Sequence, residues 1–317
     1  MERVMLDVDL AMGAPGSDVD DGFALALALA DPDISLELVT TVNGNTDVAS
    51  ATTLTLELLH RLGHPEVPVH RGAQVPLLRP QAKFGSVPEE VVVREPRPMP
   101  AAAAMVEHVR ANPGEITLVA VGPLTNVALA MRLDHTFASS LKRLVIMGGV
   151  FNQPTNETRM PGEYNIWNDP EAAEIVLGSG IVAQWVGLDV TLKVRVTMEE
   201  ARAMAASDHE FAAFAGRYTV AWIDHLSSRR PEQVGSCAMH DPLAVAAVTH
   251  PELITWQDSY VQVETGDRLR GAMLADPLTR GWAPDGDGTK LEPNASIAVD
   301  VDAAGFTRFF MDKLKEL

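Results

Sequence analysis

The residues best suited to chemistry are five aspartates near the start of the chain, Asp7, Asp9, Asp18, Asp20 and Asp21, which lie within fifteen positions. Crowded carboxylates repel one another, and this raises their pKa values unless a cation lies between them. Hard cations such as Ca²⁺ and Mg²⁺ prefer oxygen ligands of this kind. A solvated turn with aspartate helix caps would explain one acidic pair, but it explains five carboxylates less well. The cluster therefore predicts a divalent metal site.

These aspartates occupy a segment with glycine and proline between a predicted strand and a predicted helix. Residues 4–6 form a short apolar run that is typical of a buried strand, and residues 23–30 are rich in the helix formers Ala and Leu. In open α/β folds the loop after such a strand lies at the carboxyl edge of the sheet, where ligands bind. We therefore expect the metal site at that edge.

Strand patterns alternate with helix patterns through most of the chain. Continuous apolar runs at residues 116–121 and 144–147 indicate parallel strands that are buried on both faces. The alternation predicts one α/β domain over residues 1–317, with a mostly parallel central sheet flanked by helices and an active site at the carboxyl edge of the strands. Five further segments are interpreted as a long loop at 72–99, a polar loop at 152–169, helix at 198–226, and late strands at 259–264 and 296–302.

Composition narrows the choice of partners. The chain of 317 residues is 46% hydrophobic and 21% charged, which is typical of a globular protein. A net charge of −18 argues against binding to nucleic acid or to an anionic membrane surface. Cys237 is the only cysteine, so a disulfide within the chain is excluded and a reducing cytoplasm is the expected location. The sequence pattern predicts neither a signal peptide nor a membrane span.

Polar residues recur where predicted strands end. Asn43 and Asn45 follow the second strand, and Gly148-Gly149 ends a later strand shortly before Glu163, Asn165 and Asn168. The pair His240-Asp241 precedes a helix. Taken singly, each of these residues is equally well explained as a turn residue or a helix cap. Because the carboxyl ends of parallel strands share one edge of a sheet, we expect them to converge with the aspartates.

With these segments in this order, the chain resembles the nucleoside hydrolases of the inosine-uridine-preferring type. The resemblance extends to about residue 245 and rests on these segments: Leu6-Asp7-Val8-Asp9 with Asp20-Asp21, residues 40–45, 122–126, 145–149, 163–173, 187–191 and 240–245. It implies an α/β fold and hydrolysis of the N-glycosidic bond of a ribonucleoside to ribose and free nucleobase. It also implies a homodimer or homotetramer.

The resemblance implies a bound Ca²⁺ ion in a shell of oxygen ligands, which suits this cation. Its protein ligands would be the side chains of Asp9, Asp21 and Asp241 and the backbone carbonyl of Val121. The ion lowers the pKa of a bound water, and Asp9 would accept the proton as general base. Attack at ribose C1′ then passes through a transition state that resembles an oxocarbenium ion.

The resemblance also implies a set of substrate-binding residues. Those for the ribose are Asp20, Asn45, Glu163 and Asn165, with Asn165 also near the developing positive charge and Met147 lining the sugar pocket. His240 is a candidate general acid for the leaving base, and the alternative is a helix-entry histidine that only packs.

Two aromatic residues on the predicted helix at 198–226 are candidates for the nucleobase site. Tyr218 and Trp222 are four residues apart and share a helix face, with His225 and Arg229 following at similar spacing. The two readings of this stripe are core packing and a wall that stacks on the nucleobase.

The chain departs from the family pattern in two places. Ten residues, Leu10 to Val19, separate Asp9 from the Asp20-Asp21 pair, where the family has a shorter spacer. The role of Asp18 is therefore open. Residues 72–99 also lack the His-Gly-rich motif that many members carry in a loop that closes over the substrate.

Two other functions fit parts of the pattern. A phosphohydrolase of the haloacid-dehalogenase type would use Asp7 and Asp9 with Mg²⁺, but the small hydroxyl residue expected after the second aspartate and a partner lysine are missing. A nucleoside- or sugar-binding protein with a structural Ca²⁺ is the non-catalytic alternative. Phosphate release would identify the first, and tight binding of ribosides without turnover would identify the second.

Overall fold

The computed structural model describes residues 1–14, 16–79, 83–155, 159–229, 234–278 and 291–317. Within these ranges, eleven strands are found: β1 Glu2–Val8, β2 Ile34–Thr41, β3 Val69–Arg71, β4 Ile116–Ala120, β5 Arg143–Met147, β6 Ala183–Val186, β7 Arg195–Thr197, β8 Ser236–Ala238, β9 Ile254–Val263, β10 Met273–Asp276 and β11 Ala295–Val301. Nine of them form one sheet in the order β10-β9-β11-β6-β5-β4-β1-β2-β3. The strands β7 and β8 pair with each other in a separate antiparallel sheet.

The large sheet is parallel from β3 to β11, and only β9, which lies between β11 and the edge strand β10, runs in the opposite direction. The predicted α/β architecture with a mostly parallel sheet is therefore confirmed. The two predicted late strands correspond to β9, which has ten residues, and β11, which has seven. All parallel strands end at one edge, and this edge carries the predicted polar residues.

Helices cover both faces of this sheet. The described helices are α1 Asp20–Ala30, α2 Val48–Arg61, α3 Ala101–Ala111, α4 Thr125–Leu133, α5 Phe137–Ser140, α6 Tyr164–Asn168, α7 Pro170–Leu177, α8 Leu188–Thr191, α9 Met198–Ala205, α10 Glu210–Arg229, α11 His240–Thr249 and α12 Ala303–Leu314. A short 3-10 helix, Pro251–Leu253, precedes β9. None of the described helices combines the length and the apolar character needed to cross a membrane.

Two predicted segments differ from the structure. The helix expected over residues 198–226 is two helices, α9 and α10, because Ser207 and Asp208 in the break favour bonds to nearby backbone over continued helix. The polar loop expected over 152–169 ends in the short helix α6, because the Glu163 carboxylate caps its first turn by accepting from the Asn165 and Ile166 N–H groups. Residues 156–158 of that loop lie outside the described ranges.

The strand β1 shows why polar groups collect at strand ends. Val4, Leu6 and Val8 belong to the apolar cluster on one face of the sheet, and Met5 belongs to the cluster on the other face. Both faces are covered by helices, as expected for a parallel sheet. A polar side chain on this strand therefore reaches solvent or a ligand only near its end, where Asp9 lies.

The lengthened segment between Asp9 and the Asp20-Asp21 pair folds inward. Its apolar side chains are buried, with Leu10, Met12 and Val19 at most 1% exposed. Gly13 and Gly16 have positive φ angles of 109° and 72°, which allow the tight turns that return the chain to α1. Pro15 lies outside the described residues. The segment thus contributes to the core and returns to the sheet edge at Asp18.

Candidate active site

Three carboxylates meet where α1 and α11 begin. Asp20, Asp21 and Asp241 each place one carboxylate oxygen within 4.8 Å of the others, and all three are buried. Asp20 and Asp21 lie in the first turn of α1, and Asp241 lies in the first turn of α11. Helix N-termini carry partial positive charge, which favours carboxylates there. The arrangement is one that could hold a metal ion.

Asp9 lies beside this trio and is tied to it by Asn45. The Asn45 backbone N–H donates to Asp9 Oδ2 at 2.6 Å, and the Asn45 side-chain amide donates to Asp21 Oδ2 at 3.0 Å. The Asp9 N–H in turn donates to Asp21 Oδ1 at 3.0 Å. Among the described residues, the carboxylates whose oxygens lie within 4.8 Å of one another include Asp20 and not Asp9. Asp20 was expected to bind ribose instead.

The electrostatics of these four carboxylates favour a cation. Burial raises the pKa of Asp9 to about 7. Burial first, and then repulsion by neighbouring carboxylates, raise the pKa values of Asp21 and Asp241. Burial and the charge of Asp18 do the same for Asp20. A hard cation would relieve this repulsion, and the donors are oxygen atoms throughout, so these residues fit a divalent ion such as Ca²⁺.

Glu163 and Asn165 lie on the opposite side of this edge. The Glu163 carboxylate accepts from the Gly149 N–H at 3.1 Å as well as from the first turn of α6, and burial raises its pKa to about 7. The Asn165 amide donates to the Val121 carbonyl at 2.7 Å and to the Met147 carbonyl at 3.4 Å. The Val121 carbonyl, which the resemblance implies as a metal ligand, thus accepts from Asn165 in this structure.

A cavity of about 1190 Å³ opens above these groups. Small-molecule sites are commonly about 300–1,000 Å³, so this cavity has room for a sugar and a base. The predicted site residues that line it are Asp20, Asn45, Val121, Met147, Glu163, Asn165, Trp222, His240 and Asp241. Asp18 also lines it, and the charge of Asp18 raises the pKa of both Asp20 and Asp21.

Tyr218 is not brought together with the other site residues. Its ring packs on Phe214 with centroids 5.0 Å apart and borders a second pocket of about 20 Å³ beside Met12 and Arg61. Four residues advance a helix by about 6 Å along its axis, so one face of α10 extends from this small pocket to the large cavity. Trp222 lies at the cavity end, where its ring stacks on His225 with centroids 5.3 Å apart.

His240 lines the cavity next to the short helix α8. Its Nδ1 is 2.7 Å from the Thr191 hydroxyl. This contact holds the ring at the beginning of α11, one residue before Asp241. Thr191 belongs to the segment 187–191 that resembles the family, but its contact with His240 is visible only in the fold.

Further cavity residues were missed by the sequence analysis. Leu192 and Arg195 line the cavity, and they follow α8 in a segment without a motif or a clear period. Tyr164 also lines it, and its hydroxyl donates to the Gly44 carbonyl at 2.6 Å. In the atypical loop at 72–99, Lys83 donates to the same hydroxyl at 2.6 Å. Residues 80–82 of that loop lie outside the described ranges.

Replacing Gly44 by alanine is expected to lower activity at least about 100-fold with little loss of stability. A Cβ at this position would overlap the Asp9 carboxylate, and displacing a catalytic group by about 1 Å has an effect of this size. The measurement is kcat/KM together with the thermal midpoint of unfolding. Gly178→Ala is the matched control, because Gly178 has a negative φ of −85° and a Cβ there comes no closer than 3.3 Å to another atom. Equal activity of the two variants would contradict the close approach of Gly44 to Asp9.

A parallel α/β sheet with buried carboxylates beneath a cavity at its carboxyl edge defines an enzyme that acts on a small molecule. The sequence and structure comparisons then specify the class. The chain belongs to the inosine-uridine preferring nucleoside hydrolase family, whose model matches residues 4–308. It is an N-glycosyl hydrolase by this membership, as the resemblance had implied.

Individual relatives span nearly the whole chain. A probable uridine nucleosidase 2 of Oryza sativa subsp. japonica is 34% identical over 316 residues, covering 95% of this chain and 89% of the relative. The pyrimidine-specific ribonucleoside hydrolase RihA of Escherichia coli O139:H28 is 32% identical over 322 residues, covering 98% of each. A solved plant nucleoside hydrolase, PpNRh1, is similar with a TM-score of 0.87 at 27% identity, covering 99% of this chain and 98% of that structure.

Proposed function

We propose that this chain hydrolyses the N-glycosidic bond of ribonucleosides to ribose and free nucleobase, with Ca²⁺ as its resident cation. The observation that carries the proposal is the convergence of buried carboxylates from α1 and α11 beside one cavity large enough for a nucleoside. Membership of the nucleoside hydrolase family supports the reaction. The alternatives of a phosphohydrolase and of a non-catalytic binding protein have no comparable support.

The residues proposed to hold the ion are Asp9, Asp21, Asp241 and the Val121 carbonyl, with Asp20 close enough to join them. When bound, a Ca²⁺ ion supplies Lewis-acid activation of a water molecule and of ribose hydroxyls. The four side chains supply only oxygen donors, which suits Ca²⁺ rather than a softer metal. Asp20 borders the cavity and so faces the substrate as well.

Asp9 is the proposed general base. Its carboxylate is buried to 1% exposure and is oriented by the Asn45 N–H, which donates to Oδ2. It accepts a proton from the attacking water, whose oxygen forms the new bond to ribose C1′. Asn45, Glu163 and Asn165 bind the ribose hydroxyls and orient the sugar.

The charge in the cavity suits the transition state. Positive charge develops on the ribose as the C1′–N bond breaks, and the carboxylates of Asp20, Asp241 and Glu163 line the cavity at that end. His240 is the proposed general acid that protonates the departing base, with Thr191 fixing its ring. Trp222 is the proposed stacking wall for the base, whereas the position of Tyr218 beside Phe214 suits core packing.

The test is a panel of ribonucleosides assayed for free base and ribose with and without a calcium chelator. We expect turnover without added phosphate, loss of activity in the chelator, and recovery when Ca²⁺ is restored in excess. Recovery with Mg²⁺ alone would contradict the choice of cation. Failure to release base from any ribonucleoside, together with phosphate release from phosphoesters, would overturn the proposed reaction.

Three broader properties remain proposals. The family resemblance implies a homodimer or homotetramer. Sedimentation or light scattering would measure the oligomeric state. The only cysteine, Cys237, is buried and free, so the chain has no internal disulfide, and we propose a reducing, cytoplasmic location on this basis. That residues 1–317 form a single domain stays a prediction, which a single cooperative unfolding transition would support.

A further inference from the structure

The turn after β2 contains a peptide group that is hydrogen-bonded on both of its sides. The carbonyl of Gly44 and the N–H of Asn45 belong to this one peptide group. The carbonyl accepts from the Tyr164 hydroxyl at 2.6 Å, and the N–H donates to Asp9 Oδ2, also at 2.6 Å. A peptide group is planar, so its carbonyl and its N–H turn together. The bond from Tyr164 therefore helps to set the direction in which the N–H meets Asp9.

Lys83 extends this series of hydrogen bonds into the loop at 72–99. Its Nζ donates to the Tyr164 hydroxyl at 2.6 Å, so each group donates to the next, from the ammonium to the Asp9 carboxylate. In such a series each bond polarises the following one, and a cation at the donor end with an anion at the acceptor end strengthens them all. The series thus links a charge in the loop to the proposed general base.

The charge of Lys83 is directed into this series. Its side chain is partly buried, and burial lowers the pKa of Lys83, while the charge of Asp9 opposes that lowering. In the part of the chain that the structure describes, Lys193 pairs with Asp300, but Lys83 forms no ion pair. Tyr164 is among the described residues that line the cavity, and Lys83 is not. An effect of Lys83 on the reaction therefore requires an intermediary, and Tyr164 is the group that it bonds.

The loop that carries Lys83 is fastened to the same turn. The Gly85 N–H donates to Asp47 Oδ2 at 2.7 Å, and Asp47 also caps the first turn of α2. A Cβ at Gly85 would overlap the hydroxyls of Thr46 and Ser50, so this close approach suits glycine. The contact lies two residues after Lys83 and holds the lysine beside the turn on which it acts.

We propose that Lys83 and Tyr164 are positioning residues, which together hold the proposed general base, Asp9, in its reactive orientation. They do so through the peptide group between Gly44 and Asn45. The proposal rests on the proposed function, in which Asp9 accepts a proton and binds the cation. It gives the atypical loop at 72–99 the role of supplying a fixed cation behind the cavity wall. In this role neither side chain exchanges a proton or forms a covalent bond.

The first experiment is a double-mutant cycle with Tyr164→Phe, Lys83→Met and the double variant, assayed on uridine and inosine at saturating Ca²⁺. Tyr164→Phe keeps the ring but removes the hydroxyl, and it is expected to lower kcat by about 10- to 100-fold. Lys83→Met should lower kcat by about 10-fold. Because Lys83 acts through the hydroxyl, the double variant should be no slower than Tyr164→Phe. KM should stay within about twofold, since orientation of the base matters in the transition state.

The second experiment measures Ca²⁺ affinity by titration calorimetry on protein that has been freed of metal by dialysis. A carboxylate that is less well oriented is a weaker ligand, so Tyr164→Phe and Lys83→Met are each expected to raise the dissociation constant for Ca²⁺ by about 10-fold. Lys83→Arg keeps a charged donor and should stay within about threefold of wild type in both experiments. Gly85→Ala keeps both side chains but displaces the loop, and its losses should resemble those of Lys83→Met.

Lys313→Met is the matched control for the loss of a lysine. The Lys313 side chain is also partly buried, at 18% exposure, but it pairs with Glu316 at the end of the chain. This variant should match wild type in kcat and in Ca²⁺ affinity. If Tyr164→Phe does not fold, Lys83→Met and Lys83→Arg provide the same comparison.

An unchanged kcat in Tyr164→Phe, a loss confined to KM, or equal losses from Lys83→Met with and without the Tyr164 hydroxyl would overturn this inference. Wild-type turnover tests the proposed function separately. If the wild type releases no base from any ribonucleoside, the proposed function fails, and the Ca²⁺ titration then decides the positioning of Asp9. Equal affinities in wild type and Tyr164→Phe would overturn it. If the wild type is active and the cycle shows no coupling, only this inference fails.

Discussion

Asp9→Asn is expected to lower kcat by at least about 1,000-fold while the protein stays folded and still binds ribonucleoside. Asparagine keeps the shape of the side chain and can still accept from the Asn45 N–H, but it cannot accept a proton from water. The loss should appear in kcat rather than in KM, because proton transfer occurs only in the transition state. Single-turnover kinetics and equilibrium binding of a ribonucleoside are the measurements.

Asp31→Asn is the matched control for this variant. Asp31 is also a buried aspartate, 2% exposed, but it follows α1 at the opposite edge of the sheet and accepts from the Thr249 hydroxyl. Loss of one such bond is expected to change stability by about 1 kcal/mol and leave kcat near its wild-type value. Near-normal turnover by Asp9→Asn with the metal bound would show that another group is the base.

Without its divalent cation, the protein is expected to lose stability as the pH rises from 5 to 8. Burial raises the pKa values of Asp9 and Glu163 to about 7, so the folded state holds protons that the unfolded state releases above about pH 4. The stability contributed by these protonated groups is fully present below the unfolded pKa values and is lost as pH rises through 7. We expect a loss of at least about 3 kcal/mol over this range.

Added Ca²⁺ should reverse this trend. Metal ligands must be deprotonated, so Ca²⁺ binding strengthens as pH rises and should stabilise the protein strongly at pH 8 but weakly at pH 5. Thermal unfolding of dialysed protein at both pH values, with and without Ca²⁺, measures both effects. Asp241→Asn removes one carboxylate of the buried trio and should reduce both the pH dependence and the Ca²⁺ effect. Thermal midpoints independent of pH and Ca²⁺ would contradict a cation site here.

Much of the fold follows from local patterns in the sequence. Apolar runs such as residues 116–121 are typical of strands that lie between two helical layers, where both faces are buried, and β4 Ile116–Ala120 is buried throughout. Helix ends were also readable, since Pro170 begins α7 and Gly63 follows α2 with a φ of 79°. The break between α9 and α10 was missed because Ser and Asp interrupt a helix less decisively than Pro or Gly.

The candidate site was predictable to the extent that it depends on strand ends. Asp9, Asn45 and Met147 end strands or follow them closely, and the parallel topology brings strand ends to one edge. Asp241 was expected near the aspartates, but its role as a metal ligand together with Asp21 came only from the family resemblance. The two residues are far apart in the chain, and the contact depends on how α1 packs against α11.

By itself, the sequence predicted an α/β fold with carboxylates after a buried strand, where they could hold an oxygen-ligated cation, because these features depend on residue type and local period. Tertiary structure alone decided which carboxylates meet, that Asp20 joins Asp21 and Asp241, and that Tyr218 lies away from the cavity. It also decided that Arg195 and His240 both line the cavity. The physical reason is that such placements depend on helix packing and strand pairing between distant segments, which no local pattern encodes.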